Sequence, residues 1–176
     1  LPSVAVQDLL VAPDDTLWAA TARGLARMRT FETDEPDWSQ ATWTPLETTQ
    51  GRSYRCLASS PDGSVWAGLD VDDGSPVLQR FEADGTPVPI DPFLAEATSA
   101  AARFERTVLS LAHDPTSGGL WIGTDGLLYH ATPTELSWSV IPYALGGESE
   151  GVEGIAVDGS GRAWFVNNDG LWTFLP

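Results

Sequence analysis

Val152-Glu-Gly-Ile-Ala-Val-Asp-Gly-Ser-Gly-Arg-Ala-Trp164, closing on Gly170-Leu171, is a phrase this chain writes four times. A second clear copy runs from Val108-Leu-Ser-Leu-Ala-His-Asp114 through Gly119-Leu-Trp121-Ile-Gly-Thr124 to Gly126-Leu127. Two more centre on Trp18, with Gly24-Leu25, and on Trp66. Successive tryptophans stand 48, 55 and 43 residues apart. A repeat of that length marks units that cannot bury their apolar faces alone and stack on their neighbours.

Counting back from each tryptophan fixes the anatomy of a unit. Leu9 and Val11, Leu57 and Ser59, and Ile155 and Val157 fall at matching places; Leu111 and His113 fill them in the third copy, whose turn is one residue longer. Alternation of this kind, with Ala58, Ala112 and Ala156 between, reads as a buried strand. A tight turn follows, carrying Asp14-Asp15, Asp62-Gly63, Asp114 to Gly119 or Asp158 to Gly161. Aspartate bonds back to the backbone there, and glycine accepts positive φ. The tryptophan strand comes next, then a second turn and a third strand. A weaker fourth strand ends near Thr44-Pro45-Leu46, Val88-Pro89-Ile90 and Val140-Ile141-Pro142. Proline suits an outer strand, where a missing N–H costs least.

Four short antiparallel strands per unit describe a propeller blade. The expected fold is therefore all-β: a single partial β-propeller domain over 1–176, a fragment of a larger ring. Blade one covers about 4–46, blade two about 52–90, blade three about 106–142, and an incomplete blade four about 151–176. The Ala-rich segment 92–104 reads as an inserted helix, with Asp91 as N-cap and Pro92 at the first helical position.

Composition narrows the partners. The net charge is −16, and all nine basic residues are arginine. Such a surface repels phosphate backbones and anionic lipid, so neither nucleic acid nor a membrane surface is an expected partner of this segment. Cys56 is the one cysteine, which leaves no intrachain disulfide and reads as a small buried thiol. No stretch approaches the roughly 20 apolar residues of a membrane helix, and no signal peptide is visible.

The pattern Val-x-x-Ile-x-x-Asp-x-x-Gly-x-x-Trp followed by Gly-Leu resembles the two-component-regulator propeller repeat, with Gly119 to Leu127 close to its consensus. The likeness covers nearly the whole chain. Unit two departs from it, its second turn expanded to Leu69-Asp-Val-Asp-Asp-Gly-Ser-Pro76, and unit one has Asp15 where the family has glycine. The resemblance implies an extracytoplasmic sensor part of a bacterial signalling protein. It implies a small, often carbohydrate-like ligand, and as partner the remainder of a larger propeller or signalling protein. Virginiamycin-lyase-like proteins share comparable repeats.

The residues themselves carry little chemistry. There is no Gly-x-Ser-x-Gly elbow and no phosphate-cradling loop, and no catalytic residue is assigned. The repeated tryptophans read as wedges between blades, and Trp38, Trp43 and Trp138 as outer residues that would stack on sugars if exposed. His113 takes an inward place on its strand, while His130 has no acidic partner near it in sequence. Asp70, Asp72 and Asp73 surround a glycine and are the candidate ligands for Ca²⁺, the one cofactor considered. Loops converge at one mouth of a ring, so the candidate ligand residues are Arg23, Asp125, Asn167, Asn168 and Asp169, with His113 at the channel. The reading that follows is a non-enzymatic binding or sensing propeller. Two others stand beside it: a propeller lyase or hydrolase using channel histidine and turn carboxylates, and a protein-interaction scaffold.

Overall fold

The computed structural model describes residues 1–29, 42–70, 77–92, 94, 107–125, 127–134, 138–144 and 151–174, with backbone alone for 138 and 140–144. Four antiparallel sheets follow one another along the chain. Blade one holds β1 (Val6–Val11), β2 (Thr16–Thr21), β3 (Gly24–Arg29) and β4 (Thr44–Pro45). Blade two holds β5 (Ser53–Ser59), β6 (Val65–Asp70), β7 (Leu78–Phe81) and β8 (Pro87–Val88). Blade three holds β9 (Val108–His113), β10 (Leu120–Thr124), β11 (Leu127–Pro133) and β12 (Trp138–Ala144). Blade four contributes β13 (Gly154–Val157), β14 (Ala163–Asn167) and β15 (Gly170–Phe174). Within each sheet, neighbours in sequence are neighbours in space.

The first turn of every blade is built from one device. Its aspartate accepts both the amide and the hydroxyl of a Ser or Thr two residues on: Asp14 from Thr16 (3.1 and 2.9 Å), Asp62 from Ser64 (2.9 and 2.7 Å), Asp114 from Thr116 (2.9 and 2.7 Å), and Asp158 from Ser160 (2.9 and 2.6 Å). The side chain thus occupies donors that the turn leaves without strand partners. Asp15 holds the left-handed conformation (φ 61°) that Gly63 takes in blade two (φ 85°), which aspartate tolerates better than most residues.

The blades are joined by their tryptophans. Trp18 is wholly buried in a core with Leu57, Val65 and Phe81 of the next blade, its ring 6.1 Å from that of Phe81. Trp66 packs with Val108, Leu111 and Leu120 of blade three. Trp121 is wholly buried with Val152, Ala163 and Phe165 of blade four, edge-on to Phe174 at 5.8 Å. Trp164 departs from the expected wedge: it is 39% exposed, because no further sheet covers that face among the described residues.

Close approach at these interfaces depends on two glycines, each two residues after a tryptophan. A Cβ on Gly68 would stand 2.5 Å from Cys56 Sγ and 2.6 Å from Val108 Cγ1; one on Gly123 would stand 2.7 Å from Val152. Gly68→Ala and Gly123→Ala should each cost about 1–3 kcal/mol through forced displacement of the facing strand. Gly159→Ala, with nothing within 4 Å, should cost less than about 0.5 kcal/mol. Urea midpoints of the three variants check this.

Polar staples complete the interfaces. Asp8 Oδ2 accepts the Leu57 amide at 2.7 Å, Arg27 Nη1 donates to the Ala83 carbonyl at 2.9 Å, and Ser110 Oγ donates to the Val152 carbonyl at 2.6 Å. Of the segment read as a helix, Asp91 Oδ1 accepts the Leu94 amide at 3.3 Å and Leu94 is wholly buried between blades two and three. Residues 95–106 lie outside the described residues.

Candidate ligand site at the inner strands

The inner strands β1, β5, β9 and β13 lie side by side in sequence order. Their register slips once in each of the first three blades: between Val6 and Asp8, between Tyr54 and Cys56, and opposite Gly123 and Thr124, where Val108 and Ser110 flank the step. The extra residues are Gln7, Arg55 and Leu109. A bulge re-aims its side chain and ends regular pairing. Glu153 holds the same place in blade four, just before β13, its amide bonded to the Val166 carbonyl at 3.0 Å.

These four equivalent residues line a cleft of about 370 Å³ and share a second of about 290 Å³. Asp8, Cys56, Leu57, Ser110, Leu111, Gly154 and Ile155 complete the lining of the first, so every blade contributes. Val6 pairs with Thr21, which places the cleft and the β2–β3 turn at the same end of the blade.

The electrostatics of the cleft are uneven. Arg55 Nη1 lies 3.7 Å from Asp70 Oδ2, and Asp70 Oδ1 accepts the Thr107 hydroxyl at 2.9 Å. Asp8 is held above the usual carboxylate range by burial, partly offset by amide bonds from Leu57 and Leu9. Burial, reinforced by the Asp8 carboxylate, pushes the Cys56 thiol far up, and Sγ contacts the Val108 carbonyl at 3.5 Å. That thiol is neutral and inert.

The residues singled out from sequence are scattered around this cleft rather than in it. Arg23 is exposed on the β2–β3 turn and lines a separate cleft of about 520 Å³ with Pro2, Pro45 and Gln50. Asp125 is half-buried on the β10–β11 turn, and Asn168 and Asp169 are exposed on the β14–β15 turn. Asn167 is occupied: its Oδ1 accepts the Asp169 amide at 3.1 Å and the Trp172 indole at 3.0 Å, which holds the turn. Asp70 is engaged by Arg55 and Thr107, while Asp72 and Asp73 lie outside the described residues. No group of three or more metal-ligating side chains occurs among the described residues. Trp43 is half-buried; Trp38 and the Trp138 side chain lie outside the described residues.

The histidines lie away from the cleft. His113 is half-buried at the far end of β9, opposite Leu120; burial lowers its pKa, against the pull of Asp114 and Asp62. For His130 the fold supplies the acidic partner missing from its sequence neighbourhood. Asp114, wholly buried, meets His130 Nε2 at 2.8 Å, and the Trp121 indole stacks on the imidazole at 4.2 Å and 16°. Burial works against ionisation of Asp114, but hydrogen bonds from Ser117, Thr116 and His130 outweigh it and hold the carboxyl far below its usual range. His130 is buried in the blade.

Gln7, Arg55 and Glu153 were not singled out from sequence. The signal was present: a polar residue at one fixed place in three units, at the head of an otherwise apolar strand.

No protein-family model and no curated protein sequence matches this chain. Solved structures do. The extracellular domain of a B. thetaiotaomicron protein described as a hybrid two-component system aligns with TM-score 0.67 and 17% identity, over 98% of this chain and 22% of that one. The WD40 β-propeller domain of Doa1 aligns with TM-score 0.64 and 13% identity, over 94% of this chain and 49% of that one. The fold is a β-propeller. Streptogramin B lyase is also similar, at TM-score 0.62 and 18% identity, over 94% of this chain and 49% of the lyase. At such identities the propeller likeness speaks for architecture alone. The propeller blades here span about a fifth of the two-component protein's extracellular domain. Among the described residues no helix is long and apolar enough to cross a membrane.

Proposed function

We propose that this chain is a ligand-binding, sensing propeller module of a bacterial signalling protein, working outside the cytoplasm and without catalysis of its own. The observation that carries the reading is the cleft at the inner strands. One repeat position, bulged in three blades, brings Gln7, Arg55, Leu109 and Glu153 to the lining of a cleft of about 370 Å³ and of a second of about 290 Å³. Gln7 also donates to Ser53 Oγ of blade two at 3.3 Å and Arg55 faces Asp70 at 3.7 Å, whereas the Glu153 carboxylate has no partner among the described residues. Ligand sites are concave, largely preformed, and carry a few convergent polar groups on apolar walls. Similarity to extracellular domains of two-component systems favours the sensing role and the extracytoplasmic location.

A thermal-shift screen of sugars, amines and amino acids tests the proposal. A ligand should raise the melting temperature, since at about 100 Kd it adds about 2.7 kcal/mol. Leu109→Trp, which fills the cleft, should abolish the shift, and His113→Ala at the far end should leave it. A hit insensitive to Leu109→Trp would move the site elsewhere.

A further inference from the structure

We infer that the cleft at the inner strands selects a small organic cation: an ammonium group on a short apolar body. This rests on that cleft being the binding site. Arg55, the cation of the lining, is already compensated by Asp70 at 3.7 Å. Glu153 is exposed, and its carboxylate has no partner among the described residues. Asp8 also lines the cleft, though its two oxygens accept the Leu57 and Leu9 amides at 2.7 and 2.8 Å, so Glu153 is the carboxylate left to meet a cation. The balance left over is negative, and the chain's net charge of −16 adds to it. Clefts lined by one sign of charge concentrate the opposite ion. Leu109 and Ile155 supply apolar wall, which suits a carbon body better than a bare metal ion. A metal is further disfavoured because no group of three ligating side chains exists among the described residues.

The test is a matched four-carbon series titrated calorimetrically into the 176-residue chain at low ionic strength: 1,4-diaminobutane, 1,4-butanediol and succinate. The diamine should bind at least about tenfold more tightly than the diol, and succinate should not bind. Glu153→Gln should weaken the diamine about tenfold, and Arg55→Gln, which releases Asp70, should tighten it several-fold. Glu82→Gln, an exposed carboxylate outside the cleft with the same change of charge, should do nothing. Equal binding of diamine and diol overturns the inference. So does a Glu82→Gln effect as large as that of Glu153→Gln, which would reveal attraction to net charge alone. If only a neutral oligosaccharide binds, and Glu153→Gln removes it, the cleft stands as the site and the cation falls. If a ligand binds and no cleft variant affects it, both readings fall.

Discussion

Trp121→Ala is expected to cost about 3–5 kcal/mol, a large part of what a domain of this size has to spare. The indole is wholly buried, stacked on His130 at 4.2 Å and edge-on to Phe174 of the next blade at 5.8 Å. Removing it opens a cavity at the seam between two sheets. Two rigid β-layers close such a gap poorly, so the transfer and cavity contributions both persist. Trp164 holds the same place in blade four but is 39% exposed, and Trp164→Ala should cost no more than about 1 kcal/mol. Urea denaturation of both variants, compared by midpoint at constant slope, gives the contrast. Equal losses would mean that the tryptophans stabilise their own blades rather than the junctions.

Asp114→Ala should be nearly as damaging, at about 3–5 kcal/mol, because it strands a buried histidine and several hydroxyl and amide donors at once. Asp114 Oδ1 accepts from Thr116 N and Oγ1 at 2.9 and 2.7 Å, while Oδ2 accepts from Ser117 Oγ at 2.7 Å and meets His130 Nε2 at 2.8 Å. The equivalent Asp158 lies in an exposed turn bonded to Ser160, and its replacement should cost far less. The acid limb supplies a second readout. The Asp114 carboxyl is held below its usual range in the folded state. Its contribution is therefore whole above the unfolded aspartate pKa of about 4 and is lost as pH falls from there toward the lower folded value. Asp114→Asn should flatten the decline of stability below about pH 4 while lowering the plateau above it. An unchanged acid limb would assign that decline to other carboxylates.

Some of this was legible in the residues and some was not. Strand order, blade number and the turn chemistry are local: an aspartate two residues before a serine or threonine recurs in all four units. The His130–Asp114 pair was hidden, although the two are only 16 residues apart. Spacing along a chain does not say which side of the first turn a third strand passes, whereas the pairing of Trp121 with His130 does.

The sequence by itself determined that this protein is a row of antiparallel blades, because a repeated apolar period with fixed turn residues has one economical way to bury its faces. It also set the excess of negative charge. Only the tertiary structure decided where a ligand would be held. A bulge changes the aim of one side chain without changing the strand's composition, so the shared repeat position of Gln7, Arg55, Leu109 and Glu153 is legible in the residues, but their meeting at a cleft is not.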